Sequence, residues 1–421
     1  MKTACSVWSA FLLLLLLLPA GQLSAKDKPL VNVKTFTTQD GFTSTDVTDI
    51  LQARNGLIWL SSWNGLSSYD GQQFKHYKPA GNQVKYVDGE GTQYRDIRIN
   101  KIAEDAAGNI ICFARDFKLY AFRPAEELFY DLAELHPEIS LPSKEAEQRF
   151  FAVSDSISYI FADGDYLVRN SGDWLDPSQT ESVTLSKRHR VFNVLADSKG
   201  NEWILTDMGV VVLGFDFPDN QFPFAYLCEG TGAVFLATRD GLIEKYSYES
   251  NQLEYLPVSR QLGHCTAMQM LQNGQVAVCT DEGLLIFSPE DGRSQVIYKQ
   301  EHILSLYEDS RGGLWLFSAG YDGILYYDPS KGEIRRLPSP TDTNIKHFVR
   351  THRPFVYETP QKDIWVVTPS AGLCYYDRDQ QRLSPYYINN SAESILSVSC
   401  IRFLVDYQGN LWISGEKTME K

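Results

Sequence analysis

The chain has 421 residues, 43% hydrophobic and 13% aromatic, with 29 Gly and 18 Pro, a globular composition long enough for several domains or one large repeat array. Its formal net charge of −14 argues against a nucleic-acid binder, because affinity for phosphate needs positive surface, and no nucleic-acid partner is expected. Aromatic residues are plentiful and Ala-Glu-Lys-Leu runs at helical spacing are few, which favours β structure.

Residues 1–25 read as a cleavable signal peptide. Lys2 is the charged start, "VWSAFLLLLLLL" the apolar run, Pro19 and Gly21 its end, and Ser24-Ala25 a small-residue cleavage point. The run is short for a membrane span, and no later segment approaches about 18 consecutive apolar residues. Export implies an oxidising compartment. Beyond the leader lie Cys112, Cys228, Cys265, Cys279, Cys374 and Cys400, whose spacing matches no metal or redox motif. Cys265 and Cys279 flank one predicted hairpin and could pair, but isolated buried thiols are the favoured reading.

Next comes "VNVKTFTTQDG", a predicted strand with no partner before it. From there one pattern recurs nine times. Aligned on a central aromatic, the column reads Trp59, Ile111, Tyr159, Trp203, Phe235, Ala277, Trp315, Trp365 and Trp412. Three residues earlier stands Gly, replaced by Ser156 in the third module and Lys362 in the eighth. Three residues before that stand Asp105, Asp197, Glu229, Asp309 and Asp406. In the Asp-x-x-Gly turn the carboxylate bonds local backbone and Gly supplies a positive φ. A second Gly follows the aromatic and opens the next turn, as in Gly65-Leu66 and Gly323-Ile324.

Each module reads as four short strands, and the first as "VTDILQA", "LIWLSS", "LSSYD" and "QQFKHYK". Four-stranded modules repeating about every forty residues indicate an all-β fold, a β-propeller, with a solenoid as runner-up. The orphan N-terminal strand is expected to complete the last blade of a ring. With seven blades, residues 31–337 form the first propeller, "GEIRRLP" opens a second ring, and 338–421 is an incomplete second β-propeller. An eight-bladed first ring is the alternative.

Thirteen residues before the aromatic column, where first strands begin, stand Asp46, Arg98, Arg190, His264, His302 and His352. Four residues after it, where second strands end, stand Trp63, Arg115, Asp207, Arg239 and Asp281. Both positions fall at the same end of a blade. With Tyr321, this rim gathers hydrogen-bond donors and stacking surfaces suited to a sugar, an acidic one in particular. The ligand-binding candidates are Trp63, Arg98, Arg115, Arg190, Arg239, His264, His302, Tyr321 and His352. The plainer reading, that they cap strand ends and pair with nearby Asp, carries more weight. The Asp-x-x-Gly turns lack EF-hand spacing, so no metal is expected. No nucleophile elbow, P-loop, His-Glu-x-x-His or dinucleotide fingerprint occurs, so neither a catalytic residue nor a cofactor is assigned.

"VTDILQARNGLIWLSSWNGLSSYDGQQFKHY" and "ILSLYEDSRGGLWLFSAGYDGILYYDPSKGEIRRL" closely resemble the two-component regulator propeller repeat, over about residues 31–415. That family builds the periplasmic part of hybrid two-component sensors in Bacteroides-type bacteria. The resemblance implies two seven-bladed propellers, then a β-sandwich, a membrane helix, a histidine kinase, a receiver and a DNA-binding region. It also implies sensing of carbohydrate fragments. The expected function is periplasmic sensing of an oligosaccharide or acidic glycan fragment, without enzyme activity and with a homodimer as a further expectation. The alternatives are a propeller lyase or glycoside hydrolase, and a scaffold ring for protein contacts. The last module, "DYQGNLWISGEKTMEK", stops after two predicted strands. The expectation is a truncated sensor with an unpaired final edge, poorly stable from about residue 338 onward.

Overall fold

The computed structural model describes residues 33–41, 47–77, 84–88, 91–95, 98–114, 118–137, 150–161, 166–185, 190–218, 220–258, 263–321, 323–340, 355–368, 372–386, 400–415 and 419–420. The seventh module shows how its sequence makes a sheet. Strands Ile303–Glu308, Leu314–Ser318, Gly323–Asp328 and Glu333–Pro338 run antiparallel in chain order. The turn between the first two closes through the Asp309 N–H on the Gly313 carbonyl at 2.9 Å, with Gly312 at φ 77°. One Asp309 oxygen accepts the Arg311 and Gly313 N–H groups, both at 2.9 Å, and the other accepts Trp315 Nε1 at 3.1 Å. A single carboxylate therefore shapes the turn and anchors the indole that fills the space to the next sheet. Asp197–Trp203 and Asp406–Trp412 repeat the indole bond at 2.9 Å. Gly283, opening a later turn, has φ 151°, and a Cβ there would lie 1.9 Å from the Tyr298 carbonyl oxygen.

Among the described residues each of the nine modules forms its own sheet, four-stranded except the fourth module's three strands. A hairpin, Val84–Asp88 with Gly91–Arg95, is inserted between the first two. Second strands such as Ile58–Ser62, Glu202–Thr206 and Val276–Thr280 are buried along their whole length. Fourth strands are more open: Gln252–Tyr255 is largely exposed and Phe74–Tyr77 is mostly half-buried. First strands lie half-buried, and most touch the first strand of the next module. Apolar clusters then join neighbouring sheets in sequence: Trp59 with Phe122, Trp203 with Tyr246, Phe235 with Phe287, Trp315 with Tyr376. The ninth sheet meets the first through Trp412, Phe36, Val47, Ile50 and Tyr69. Sheets meeting face to face in a closed cycle, each with its first strand innermost, make a β-propeller.

Two further devices tie the sheets. A carboxylate or carboxamide near the end of a first strand caps a backbone N–H in the preceding sheet's turn. Ser310 N bonds Glu358 Oε2 at 2.7 Å, Ser198 N bonds Glu229 at 2.7 Å, Gln272 N bonds Glu308 at 2.9 Å, and Arg54 N bonds Glu104 at 2.9 Å. Tyr407 N bonds Gln52 at 2.6 Å across the closing seam. In addition, first strands carry a bulge near their start, as at Val47/Asp49, Ile99/Lys101, Val191/Asn193, Cys265/Ala267 and Ile303/Ser305. The skipped residues Thr48 and Thr266 use the bulge to donate their hydroxyls to the Ile99 and Ile303 carbonyls of the next sheet.

Two expectations meet a different arrangement. The N-terminal strand, Thr35–Phe36, does complete a last blade as its fourth strand, but by pairing with Met419–Glu420 in the Trp412 sheet rather than by completing the Trp315 sheet. The physical reason is that Glu333–Pro338 already pairs with Gly323–Asp328 and fills that edge. The last module does not stop at two strands, because Met419–Glu420 pairs as its third. Packing also runs across residue 338 without a break, with 33–421 one compact unit. Cys112, Cys228, Cys265, Cys279 and Cys374 are buried free thiols, so Cys265 and Cys279 stay unpaired. Burial pushes the Cys228 and Cys265 thiols up to about 12. The signal-peptide segment lies outside the described residues.

Candidate functional site

Register places the two sequence columns side by side. Cys265 faces Thr280, Val191 faces Thr206 and Ile303 faces Ser318, so each first strand begins where its own second strand ends. Backbone bonds fasten the junction: Asp207 N to Arg190 O at 3.1 Å, Asp281 N to His264 O at 3.0 Å, and Ala319 N to His302 O at 2.9 Å. The bulges described above sit just inside this rim.

Trp63 projects from its turn with 47% of its surface exposed. Arg98 of the next sheet lies flat on it, the guanidinium carbon 3.7 Å from the ring centroid. The stack holds a cation and an aromatic surface together at an open edge. Arg239 lies 4.7 Å over the ring of Phe192, a bulge residue of the preceding sheet. Arg190 is exposed, and its backbone N–H donates to Asp207 Oδ1 at 2.8 Å.

The sixth sheet carries a tighter arrangement. Asp281 Oδ1 accepts the His264 N–H at 2.6 Å and Oδ2 meets His264 Nδ1 at 2.9 Å. The backbone bond is the largest cause holding the Asp281 carboxyl below its usual range, and the imidazole and the nearby His302 add to it. His264 Nε2 also lies 4.0 Å from Asp240, beside Arg239. His264 and His302 thus gather at Asp281, with Asp240 beside His264, while the Arg239 guanidinium lies over Phe192 on the preceding sheet. Tyr321 lies in the turn that follows the seventh module's second strand. Its ring lies 5.1 Å from the Arg336 guanidinium, which also reaches Tyr298 at 3.0 Å and Glu301 at 2.9 Å. Arg115 and His352 lie outside the described residues.

Sequence reasoning missed the partners that orient these groups. Phe192 and Asp240 meet them only through neighbouring sheets. Arg336 reaches Tyr321 from the fourth strand of its own module, bonded to Glu301 just before that module's first strand; no local motif announces either. It also passed over Phe222, Met208 and Leu304, exposed apolar residues at or beside the same strand ends. Phe222 sits in the first-strand column of the fifth module and was within reach of the alignment.

At the opposite, Asp-x-x-Gly end, a groove of about 970 Å³ separates the sixth and seventh sheets, lined by Gln272, Gln295, Ser310 and Tyr327 among others. Among the described residues no three His, Cys, Asp or Glu side chains gather as a metal would need, and no helix is long and apolar enough to cross a membrane.

No protein-family model and no curated protein sequence matches the chain. Solved structures do resemble it. The similar ones include extracellular domains of hybrid two-component systems. One, BT4673 of B. thetaiotaomicron, has 15% identity over 91% of this chain and 57% of its own length, with a TM-score of 0.37. A second, BT3049 of the same organism, has 17% identity over 90% and 64%, with a TM-score of 0.27. An inactive virginiamycin B lyase from Staphylococcus aureus has 13% identity over 81% and 97%, with a TM-score of 0.41. The chain therefore spans about 57% of the length of the first of these. At such values the propeller assignment rests on this chain's own sheet order and packing, and function rests on its residues.

Proposed function

We propose that this chain is a ligand-sensing propeller region of a hybrid two-component regulator, working outside the cytoplasm and binding a glycan fragment at the rim of strand starts. The repeat resemblance supports the sensor role. The observation that supports the ligand class is the exposed Trp63–Arg98 stack, with Arg190, Arg239, His264 and His302 along the same rim. Sugars present apolar C–H faces that pack on an indole and hydroxyls or carboxylates that accept from guanidinium and imidazole N–H groups. Signalling would follow if the bound state favours one docking geometry of the propeller over another.

Calorimetric titration of the chain with neutral and acidic oligosaccharides tests this. Saturable binding that Trp63→Ala and Arg98→Gln each weaken tenfold or more is the expected result. Absence of saturable binding across the panel, or binding that Trp63→Ala leaves intact, overturns it.

One observation favours a second reading, a polysaccharide lyase or hydrolase. The His264–Asp281 pair is a ring nitrogen oriented by a carboxylate, the arrangement a general base uses. Mass spectrometry of the same incubations decides between the two: shortened or unsaturated products, abolished by His264→Ala, would make the protein an enzyme.

A further inference from the structure

A second cavity, of about 280 Å³, lies between the seventh and eighth sheets at the end opposite the rim. Arg311, Lys331, Arg335 and Arg378 line it together with one carboxylate, Asp328, and the rings of Tyr326 and Tyr376. Four cations around one small cavity are unexpected in a chain of net charge −14.

Three of these cations have a carboxylate at 3.6–3.9 Å, and two of those carboxylates also hold turn groups. Glu358 takes the Ser310 N–H and hydroxyl, both at 2.7 Å, and stands 3.9 Å from Arg378. Asp328 Oδ1 accepts the Ser330 N–H at 3.1 Å and its hydroxyl at 2.6 Å, and Oδ2 lies 3.7 Å from Lys331. Glu333, on an exposed outer strand, is 3.6 Å from Arg335. Asp309 is used by its turn and by Trp315. Among the described residues the Arg311 guanidinium has neither a hydrogen-bond acceptor nor an ion-pair partner. Arg378 Nε is buried and bonds nothing. A buried guanidinium N–H without an acceptor is costly, and a planar pair of oxygens satisfies it best.

We propose that this inter-sheet cavity is an oxyanion site, taking a phosphate, a sulfate or the carboxylate of an acidic ligand between Arg311, Arg335 and Arg378. It is independent of the rim and of the sensor reading. The test titrates the full chain with inorganic phosphate, sodium sulfate and sodium acetate, at ionic strength held constant with chloride. One saturable site is expected, weakened at least tenfold by Arg311→Gln and by Arg335→Gln and unchanged by Lys75→Gln, which lies in the first module's fourth strand, away from both the cavity and the rim. Preference for phosphate or sulfate identifies a tetrahedral anion or its ester, and preference for acetate identifies a carboxylate. Arg311 is exposed, so its variant tests the site even where Arg378→Gln fails to fold. No saturable binding of any of the three, or binding that Arg311→Gln leaves unchanged, overturns the proposal.

Discussion

The fourth and seventh modules keep the whole Asp-x-x-Gly-x-x-Trp pattern, whereas the second and third lost parts of it, and the contrast shows what the pattern is for. In the second module Ile111 replaces Trp, and Asp105 has no indole of its own. Trp174, from a later loop, is fully buried beside Ile111 and brings its backbone N–H to Asp105 at 3.2 Å. Its indole N–H goes to Ser158 at 2.8 Å. In the third module Tyr159 replaces Trp, and Val153 stands where the turn Asp would be. Glu202 of the next sheet accepts the Tyr159 hydroxyl and a two-point contact from Arg169 at 2.9 and 2.7 Å. In these four modules a large ring fills the space between sheets with its polar atom satisfied, unlike Trp59 of the first module, whose buried indole N–H bonds nothing among the described residues. The residue that supplies it can come from elsewhere in the chain.

The largest expected effect tests that substitution directly. Trp203→Ala should cost about 3–5 kcal/mol, and Trp174→Ala should cost as much if it fills the vacated place. Denaturant unfolding of both variants checks this, and a loss under about 1 kcal/mol for Trp174→Ala would separate the modules. Next, Glu202→Gln should cost about 3 kcal/mol, since it strands Arg169 in a mostly buried pair. Glu181→Gln, which removes the exposed partner of the same arginine, should cost about 0–1 kcal/mol in the same unfolding assay.

The two turn carboxylates sharpen the comparison further. Burial works against ionised Asp197, but bonds from Tyr248, Asn201 and Trp203 outweigh it and hold the carboxyl below its usual range. Burial dominates at Asp105, Asp173 adds to it, and the carboxyl is raised despite bonds from Asn109 and Trp174. Linkage then gives opposite signs. The Asp197 contribution is complete above its unfolded value and is lost as pH falls through its lower folded value. The Asp105 contribution is complete below its unfolded value and is lost as pH rises through its higher folded value. Asp197→Asn should therefore cost about 2 kcal/mol at pH 7, a penalty that shrinks toward pH 3. Asp105→Asn should stay within about 1 kcal/mol of the parent at pH 7. Thermal unfolding at both pH values reads the difference. The smallest effect belongs to the eighth module, where Lys362 occupies the turn glycine's place at φ 70°. Lys362→Gly should stabilise by roughly 0.5–1 kcal/mol, because a Cβ is disfavoured there.

Local chemistry was legible in the sequence. Asp309, Gly312 and Trp315 act within one turn of one another, so their spacing alone announces strand, turn and core. The rim was legible in the same way, because strand register fixes where Arg190 and Asp207 meet. Pairing at a distance was not. Nothing local says that Thr35–Phe36 reaches the Trp412 sheet, that Trp174 serves the second module, or that Glu104, Glu308 and Glu358 cap the sheets before them. Those residues look like ordinary exposed acids until the neighbouring turn is in place. The inter-sheet cavity was illegible for the same reason, since Arg311 and Arg378 lie far apart in sequence and converge only by packing.

Hydrogen exchange of the full chain with and without a saturating oligosaccharide mixture tests the central claim, that ligand is read at the strand-start rim, most directly. The account predicts slowed exchange around Trp63, Arg98, Arg239 and His264, and none in the exposed fourth strands such as Gln252–Tyr255. Protection confined to the opposite end, or absent throughout, would contradict it.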